Sequence, residues 1–209
     1  MRDDLELAGL IAAALKKGKP GLVAQLKMVP QPRPGQVVYT EVEGTSVKAG
    51  VMILLYPRDG VRHLVLIRRP STVLYHKDQI SFPGGQVESG EDVVQAALRE
   101  TDEEIGIPPE CFRVLGELTP LYIPPSNFCI YPVVAAAGGP LSFTPRAEEV
   151  AEILEVPLER LLDPRTVVRE RWTIRGEPVE VPFFSFGGHK IWGATAMVLA
   201  EFLEVIRSL

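Results

Sequence analysis

The sequence predicts an α/β protein of the α+β type, with a mixed β-sheet and helices packed on it. Three observations carry this expectation. Short β-branched and aliphatic runs recur along the chain. One helical segment interrupts them in mid-chain and another closes the chain, without a strand–helix–strand rhythm. No Walker P-loop, no GxGxxG after a strand and no HExxH is present, so a doubly wound nucleotide fold is disfavoured.

The elements follow in order. The mostly apolar run Leu7 to Leu15 is too short to span a bilayer. It reads as part of an amphipathic helix with Leu7, Leu10, Ile11, Ala14 and Leu15 on its apolar face, ending near Lys17-Gly18-Lys19-Pro20. That face could pack on the rest of the chain or on a second subunit, and a homodimer is open on base rates alone. The segment Val29 to Gly35 holds Pro30, Pro32 and Pro34, which favour a stiff, extended connection. Residues 1–35 are therefore set apart from a main domain over 36–209.

Gly50 to Tyr56 and His63 to Arg68 read as strands joined by the hairpin turn Pro57-Arg58-Asp59-Gly60. A loop runs from Pro70 to Asp78, followed by Ile80-Ser81-Phe82 and a turn at Pro83-Gly84-Gly85. A helix is expected from Asp92 to Ile105. Asp92 can cap it, Gln95 completes a capping box and Gly106 can stop it. Further strands are expected at Phe112 to Leu118, Phe128 to Ala136, Val150 to Val156, Thr166 to Ile174 and Val179 to Phe186, with Arg175-Gly176 as the last turn. A final helix covers Trp192 to Ile206.

Composition bounds the function. A chain of 209 residues and 23.0 kDa can bury a sizeable core without staples. Its formal net charge of −5 disfavours a general nucleic-acid binder, and RNA decapping with it. A small anionic substrate stays open, because a metal ion can reverse the field within one cleft. Cys111 and Cys129 read as two buried thiols rather than a disulfide framework. The start Met1-Arg2-Asp3-Asp4 lacks the basic character of a signal peptide, so a cytoplasmic protein with no membrane partner is expected.

The informative stretch is Gly85 to Ile107. At about 100° per residue, Val94, Ala97, Leu98, Thr101 and Ile105 form one core stripe. Glu103 falls opposite, and Glu100 and Glu104 lie toward one edge of the stripe. Like charges at these spacings repel by a few tenths of a kcal/mol per pair. A solvated acidic face would explain them, and so would a hard divalent cation such as Mg²⁺ or Mn²⁺.

Gly85, Glu91, Arg99, Glu100, Glu103, Glu104, Gly106 and Ile107 stand at the spacings of the Nudix box, so this stretch resembles the Nudix hydrolases. Thr101 departs from the usual aliphatic residue, but its methyl can still pack. Seven fixed identities arise by chance on the order of once in a million such chains. The resemblance implies a Nudix-fold α/β/α sandwich with a mixed sheet, beside the N-terminal helix. It implies hydrolysis of a nucleoside diphosphate linked to another group, using Mg²⁺ or Mn²⁺ held by Glu100, Glu103 and Glu104 with Gly85. Glu103, Glu149 and Arg99 form the expected catalytic set, Arg99 orienting a glutamate rather than touching substrate. Glu91 supports the loop–helix geometry. Glu149 is favoured over Glu148 as the acidic residue reaching the site from outside the box.

Leu64 to Gly85 is similar to the stretch before the box in the coenzyme A pyrophosphatase branch, through Arg69, His76, Gln79-Ile80-Ser81 and Phe82-Pro83-Gly84-Gly85. Tyr122 to Phe128 and Ile191 to Ala196 resemble that branch as well. This implies a small nucleotide substrate related to coenzyme A, contacted by Arg68, Arg69, His76, Lys77, Phe82, Gly84 and Gly85. Departures stand at Asp78, where the branch has Gly, at Pro70, and at Leu74, where it has a second Arg. ADP-ribose, NADH and dinucleoside polyphosphates are the alternative substrates, and a nucleotide-sensing module without catalysis is the alternative class. Tyr122, Phe128 and Trp192 read as packing residues and His189 as structural.

Overall fold

The computed structural model describes residues 2–31, 46–71, 78–174 and 176–209. The chain opens with α1 (Arg2–Lys17) and the short α2 (Leu22–Gln25). The hairpin β1 (Val47–Arg58) and β2 (Val61–Arg68) follows, then β3 (Ile80–Ser81), β4 (Gly84–Gln86) and α3 (Val93–Ile105). Next come β5 (Phe112–Glu117), β6 (Leu121–Ile123), β7 (Phe128–Ala137), β8 (Glu152–Pro157) and α4 (Leu158–Leu162). The chain ends with β9 (Val167–Ile174), β10 (Glu177–Phe186), β11 (His189–Ile191) and α5 (Gly193–Arg207).

Among the described residues, eight strands form one sheet with the central order β3-β2-β1-β7-β5. β4, β6 and β8 pair with β1, β7 and β2 respectively. The sheet is mixed, because β1 and β7 run parallel from Val47↔Phe128 to Leu55↔Ala136 while the other pairs are antiparallel. The hairpin turn has Asp59 and Gly60 at φ 51° and 76°, the left-handed pair that suits a tight two-residue connection.

Strand alternation splits the core into two layers. Met52, Leu54, Tyr56, Val65, Ile67, Val133 and Ala135 pack with Ala97 and Ile105 of α3. Ile53, Leu55, Leu64, Leu66 and Val134 pack instead with Ile11 and Leu15 of α1 and with Met197, Phe202 and Leu203 of α5. This is the expected α/β/α sandwich. The N-terminal helix packs on its own chain, although Leu10, assigned to its apolar face, is 46% exposed.

Several expectations need correction. β9, β10 and β11 form a separate three-stranded antiparallel sheet. The supposed turn at Gly84-Gly85 belongs to β4, paired through Gly50↔Gly85 and Val51↔Gly84. Cys129 is buried but Cys111 is exposed. The 35/36 boundary and Arg175 lie outside the described residues. Before that boundary, Gln31 exchanges two backbone hydrogen bonds with Glu180 of β10, at 2.9 and 2.7 Å.

Glu201 of α5 is a fully buried carboxyl that ties the N-terminal segment to the sheet. It accepts from Gly21 N at 3.0 Å, from Gln25 Nε2 at 2.7 Å and from Thr119 Oγ1 at 2.7 Å. Gln25 also donates to the Thr119 carbonyl at 2.8 Å. Removing one partner strands the others in the interior. Glu201→Ala is expected to destabilise the fold by about 2–4 kcal/mol, read as a lower urea midpoint, with faster proteolysis around residues 18–25.

Candidate active site

The site is built on how α3 meets β1 and β4. The Asp92 side chain accepts from Val94 N and Gln95 N at 2.9 and 2.8 Å, and Gln95 Oε1 accepts from Asp92 N at 2.8 Å. This is the expected capping box. Gly106 ends the helix in the left-handed conformation at φ 68°. Between these ends α3 lies directly on Gly50, where a Cβ would come within 2.1 Å of the Val93 carbonyl oxygen. Thr101 is fully buried and donates to the Ala97 carbonyl at 2.6 Å, so its hydroxyl is satisfied inside the core stripe.

Glu100 and Glu104 line the crease between α3 and β4. Glu104 is 1% exposed, accepts from Gly84 N at 2.8 Å and has Arg69 Nη1 3.8 Å away. Desolvation pushes its carboxyl from the usual 4.5 up to about 8. Burial also raises Glu100, against the opposing pull of Arg99. A Cβ on Gly85 would lie 2.2 Å from Glu100 Oε1, so the bare backbone there is what admits the carboxylate.

Arg99 is the organising cation. It donates to Glu91 at 3.2 and 2.8 Å, to Glu100 at 2.9 Å, to Glu103 at 3.3 Å and to the Gln86 carbonyl at 3.1 Å. Glu91 is held below its usual range, chiefly by Arg99. Arg99 therefore bridges the loop carboxylate Glu91 and the helix carboxylates Glu100 and Glu103.

The third carboxylate arrives from outside the box. The segment after β7 runs along the end of α3, with Thr144 N donating to Ile105 O at 2.9 Å and Arg146 N to Glu104 O at 3.0 Å. A Cβ on Gly106 would strike Thr144 Cβ at 2.9 Å, so the helix stop also admits this loop. The loop delivers Glu149, and oxygens of Glu100, Glu104 and Glu149 lie within 4.8 Å of one another. Glu148 stays exposed. Glu103, expected among the ligands, stands outside the group. It lies about 100° round the helix from Glu104, is 43% exposed and is drawn toward Arg99.

The substrate residues divide. Arg69, Gly84 and Gly85 sit at the crease. Arg68 does not: Leu66 faces α5 and Ile67 faces α3, so Arg68 and Arg69 lie on opposite faces of the sheet. Arg68 is engaged by Glu152 at 2.9 Å and Asp78 at 3.0 Å. Phe82 is buried in the α5-side core, because its parity directs the ring inward. His76, Lys77 and Leu74 lie outside the described residues. Tyr122 bonds Asn127 at 3.0 Å, Trp192 meets Trp172 edge-on at 5.2 Å and His189 pairs with Glu152 at 3.2 Å. The sequence reading missed Gly50, whose only local sign was a glycine inside a strand. It also missed the tie from Arg68 to Glu152, which only the β2–β8 register reveals.

The donor set suits a hard divalent cation. Three carboxylates converge, one of them desolvated and compensated by a single backbone donor and a guanidinium beyond hydrogen-bond distance. The chemistry such a set supports is charge neutralisation on an anionic substrate.

Comparisons with known proteins identify the family and the fold. The NUDIX domain family matches residues 47–175. The chain is 35% identical over 163 residues to the human mitochondrial coenzyme A diphosphatase NUDT8, covering 76% of this chain and 69% of that protein. It is 33% identical over 145 residues to the Nudix hydrolase NudL of Photorhabdus laumondii, covering 69% and 77%. The crystal structure of the M. smegmatis Nudix hydrolase RenU superposes with a TM-score of 0.57 at 20% identity, covering 84% of this chain and 97% of that one, a likeness of fold. No helix among the described residues is long and apolar enough to cross a membrane.

Two outcomes follow from the crease. Gly85→Ala is expected to cost about 1–3 kcal/mol of stability, since the Glu100 carboxylate held by Arg99 must be displaced. Its divalent-cation affinity should fall as well, as measured by calorimetry. Glu104 binds its proton more tightly folded than unfolded, so its contribution to stability is complete below about pH 4.5 and is lost as pH rises toward 8. Glu104→Gln is therefore expected to melt higher than wild type at pH 8 without metal. Its melting point should match wild type at pH 4, and its turnover should drop by orders of magnitude.

Proposed function

The chain belongs to the Nudix hydrolase family, and we propose that within it the substrate is coenzyme A or an acyl-coenzyme A. Members of this family are pyrophosphohydrolases and generally use divalent metal ions, and this chain is an enzyme of that kind. The observation that carries the substrate reading is the placement of Arg69. The arginine of the stretch before the box comes to 3.8 Å from Glu104 of the box, so the branch motif and the carboxylates share one crease. The likeness to a coenzyme A diphosphatase over 76% of the chain supports it.

In this reading Glu100, Glu104 and Glu149 hold Mg²⁺ or Mn²⁺, with Gly85 offering backbone only. When bound, the cation supplies charge neutralisation on the pyrophosphate and acidification of water. Arg69 neutralises a phosphate from the opposite wall. Arg99 keeps Glu91, Glu100 and Glu103 in place and does not itself reach the substrate. Water attacks one phosphorus, the bridging P–O bond breaks, and the water's proton passes to a carboxylate. Glu103 takes that proton, since it stands outside the ligand group and remains open to solvent. The products are 3′,5′-ADP and 4′-phosphopantetheine or its acyl form.

Product analysis tests the reading. With Mg²⁺ or Mn²⁺, coenzyme A is expected to yield 3′,5′-ADP faster than ADP-ribose, NADH or diadenosine polyphosphates are cleaved, and a chelator is expected to stop the reaction reversibly. Preference for ADP-ribose or NADH would overturn the coenzyme A assignment. Full activity in chelator would overturn the metal assignment.

A further inference from the structure

Behind the sheet, one guanidinium joins the segments that carry the site. Arg68 Nε donates to Glu152 Oε2 at 2.9 Å and its Nη1 donates to Asp78 Oδ1 at 3.0 Å. The other oxygen of Glu152 lies 3.2 Å from His189 Nε2 on β11. Arg68 is thereby tied by side chains to the approach to β3 and to β8, and through Glu152 to the second sheet. The backbone repeats the same ties. Ala151 N donates to the Arg68 carbonyl at 2.9 Å, and Arg69 N donates to the Gln79 carbonyl at 3.0 Å.

Each tie sits next to a group on the catalytic face. Arg69 follows Arg68 directly, and Glu149 precedes Ala151 by two residues. Gln79 leads into the stretch whose Gly84 N–H holds Glu104. Asp78 takes φ 55°, a left-handed conformation that is costly for a residue with a side chain. Its pairing with Arg68 offsets that cost at a position where glycine would have been free of it. The hydrogen bond to Arg68 also lowers the Glu152 carboxyl, so the pair stays charged across the working pH range.

We propose that Arg68, clamped by Asp78 and Glu152, is a positioning residue that sets Arg69 and Glu149 from behind the sheet, and that it is not a phosphate contact. The forked guanidinium suits this task because it can hold two carboxylates from different segments in one plane. The inference rests on the roles given above to Arg69 and Glu149.

The test compares Arg68→Gln, Asp78→Asn and Glu152→Gln with wild type. It measures kcat and KM for coenzyme A and, separately, Mn²⁺ affinity of the substrate-free protein. Small displacements of catalytic groups cost about ten- to a hundredfold in rate. Arg68→Gln is expected to lower kcat by about tenfold and to weaken Mn²⁺ binding, with KM little changed. The two carboxylate variants should shift in the same direction by less. Should Arg68→Gln fail to fold, those two variants carry the test, each leaving one arm of the clamp. A raised KM with kcat and Mn²⁺ affinity intact would make Arg68 a substrate contact and overturn the proposal. So would a lowered KM in Asp78→Asn, which would show Asp78 masking a phosphate-binding cation, or wild-type behaviour throughout. If wild type leaves coenzyme A uncleaved, the substrate assignment fails while the Mn²⁺ comparison still decides the role of Arg68.

Discussion

The contact of α3 with Gly50 sets everything else at the site. A Cβ there would stand 2.1 Å from one helix carbonyl and 2.9 Å from Ala97 N, so the helix rests on bare strand backbone. Close packing of this kind leaves no slack for rotation about the helix axis. With Ala97, Thr101 and Ile105 fully buried along the contact, Glu100 and Glu104 have only the crease beside β4 to occupy. Gly84 and Gly85 then complete the arrangement. One supplies an N–H to Glu104, and the other yields its Cβ volume to Glu100. Gly85 thus makes room for a carboxylate, whereas Gly50 and Gly84 make room for neighbouring backbone.

Burial and charge work against each other across this crease. At its outer edge Arg99 satisfies Glu91 and lowers it. At its inner edge desolvation outweighs the available donors and raises Glu104 to about 8. Glu100 lies between, bonded to Arg99 yet still raised by burial. The gradient runs from the compensated loop carboxyl Glu91 to the under-compensated Glu104, one helical turn beyond Glu100. Three like carboxyls in such a place make a poor structural feature, because a buried charge without full pairing costs stability. A bound cation would supply the missing compensation.

Local signals were readable in advance. The capping box needed only Asp92 and Gln95, the hairpin only Asp59-Gly60, and the helix stop only Gly106. Each acts within a few residues of itself. What could not be read depends on distant register. β4 exists because Gly84 to Gln86 find β1, and Glu149 reaches its neighbours because Thr144 and Arg146 bond the last carbonyls of α3. Phe82 and Arg68 fall between these cases. The period-2 rule applies to both, and a contiguous motif that runs along extended chain divides between two faces.

The two faces also change how the departures from the branch pattern are weighed. Counted along the sequence, Asp78 adds a negative charge to a segment expected to meet an anion. Counted by face, it does something else. On the back of the sheet, Arg68 sits between Asp78 and Glu152, one cation shared by two carboxylates. On the front, Arg69, Arg99 and Arg146 face Glu91, Glu100, Glu103, Glu104 and Glu149. The larger surplus of carboxylates is on the front, where a divalent cation would offset it. Asp78 does not enlarge that surplus. Where the branch pattern leads one to expect glycine, Asp78 gives up conformational freedom for an ion pair with Arg68 on the far side of the sheet.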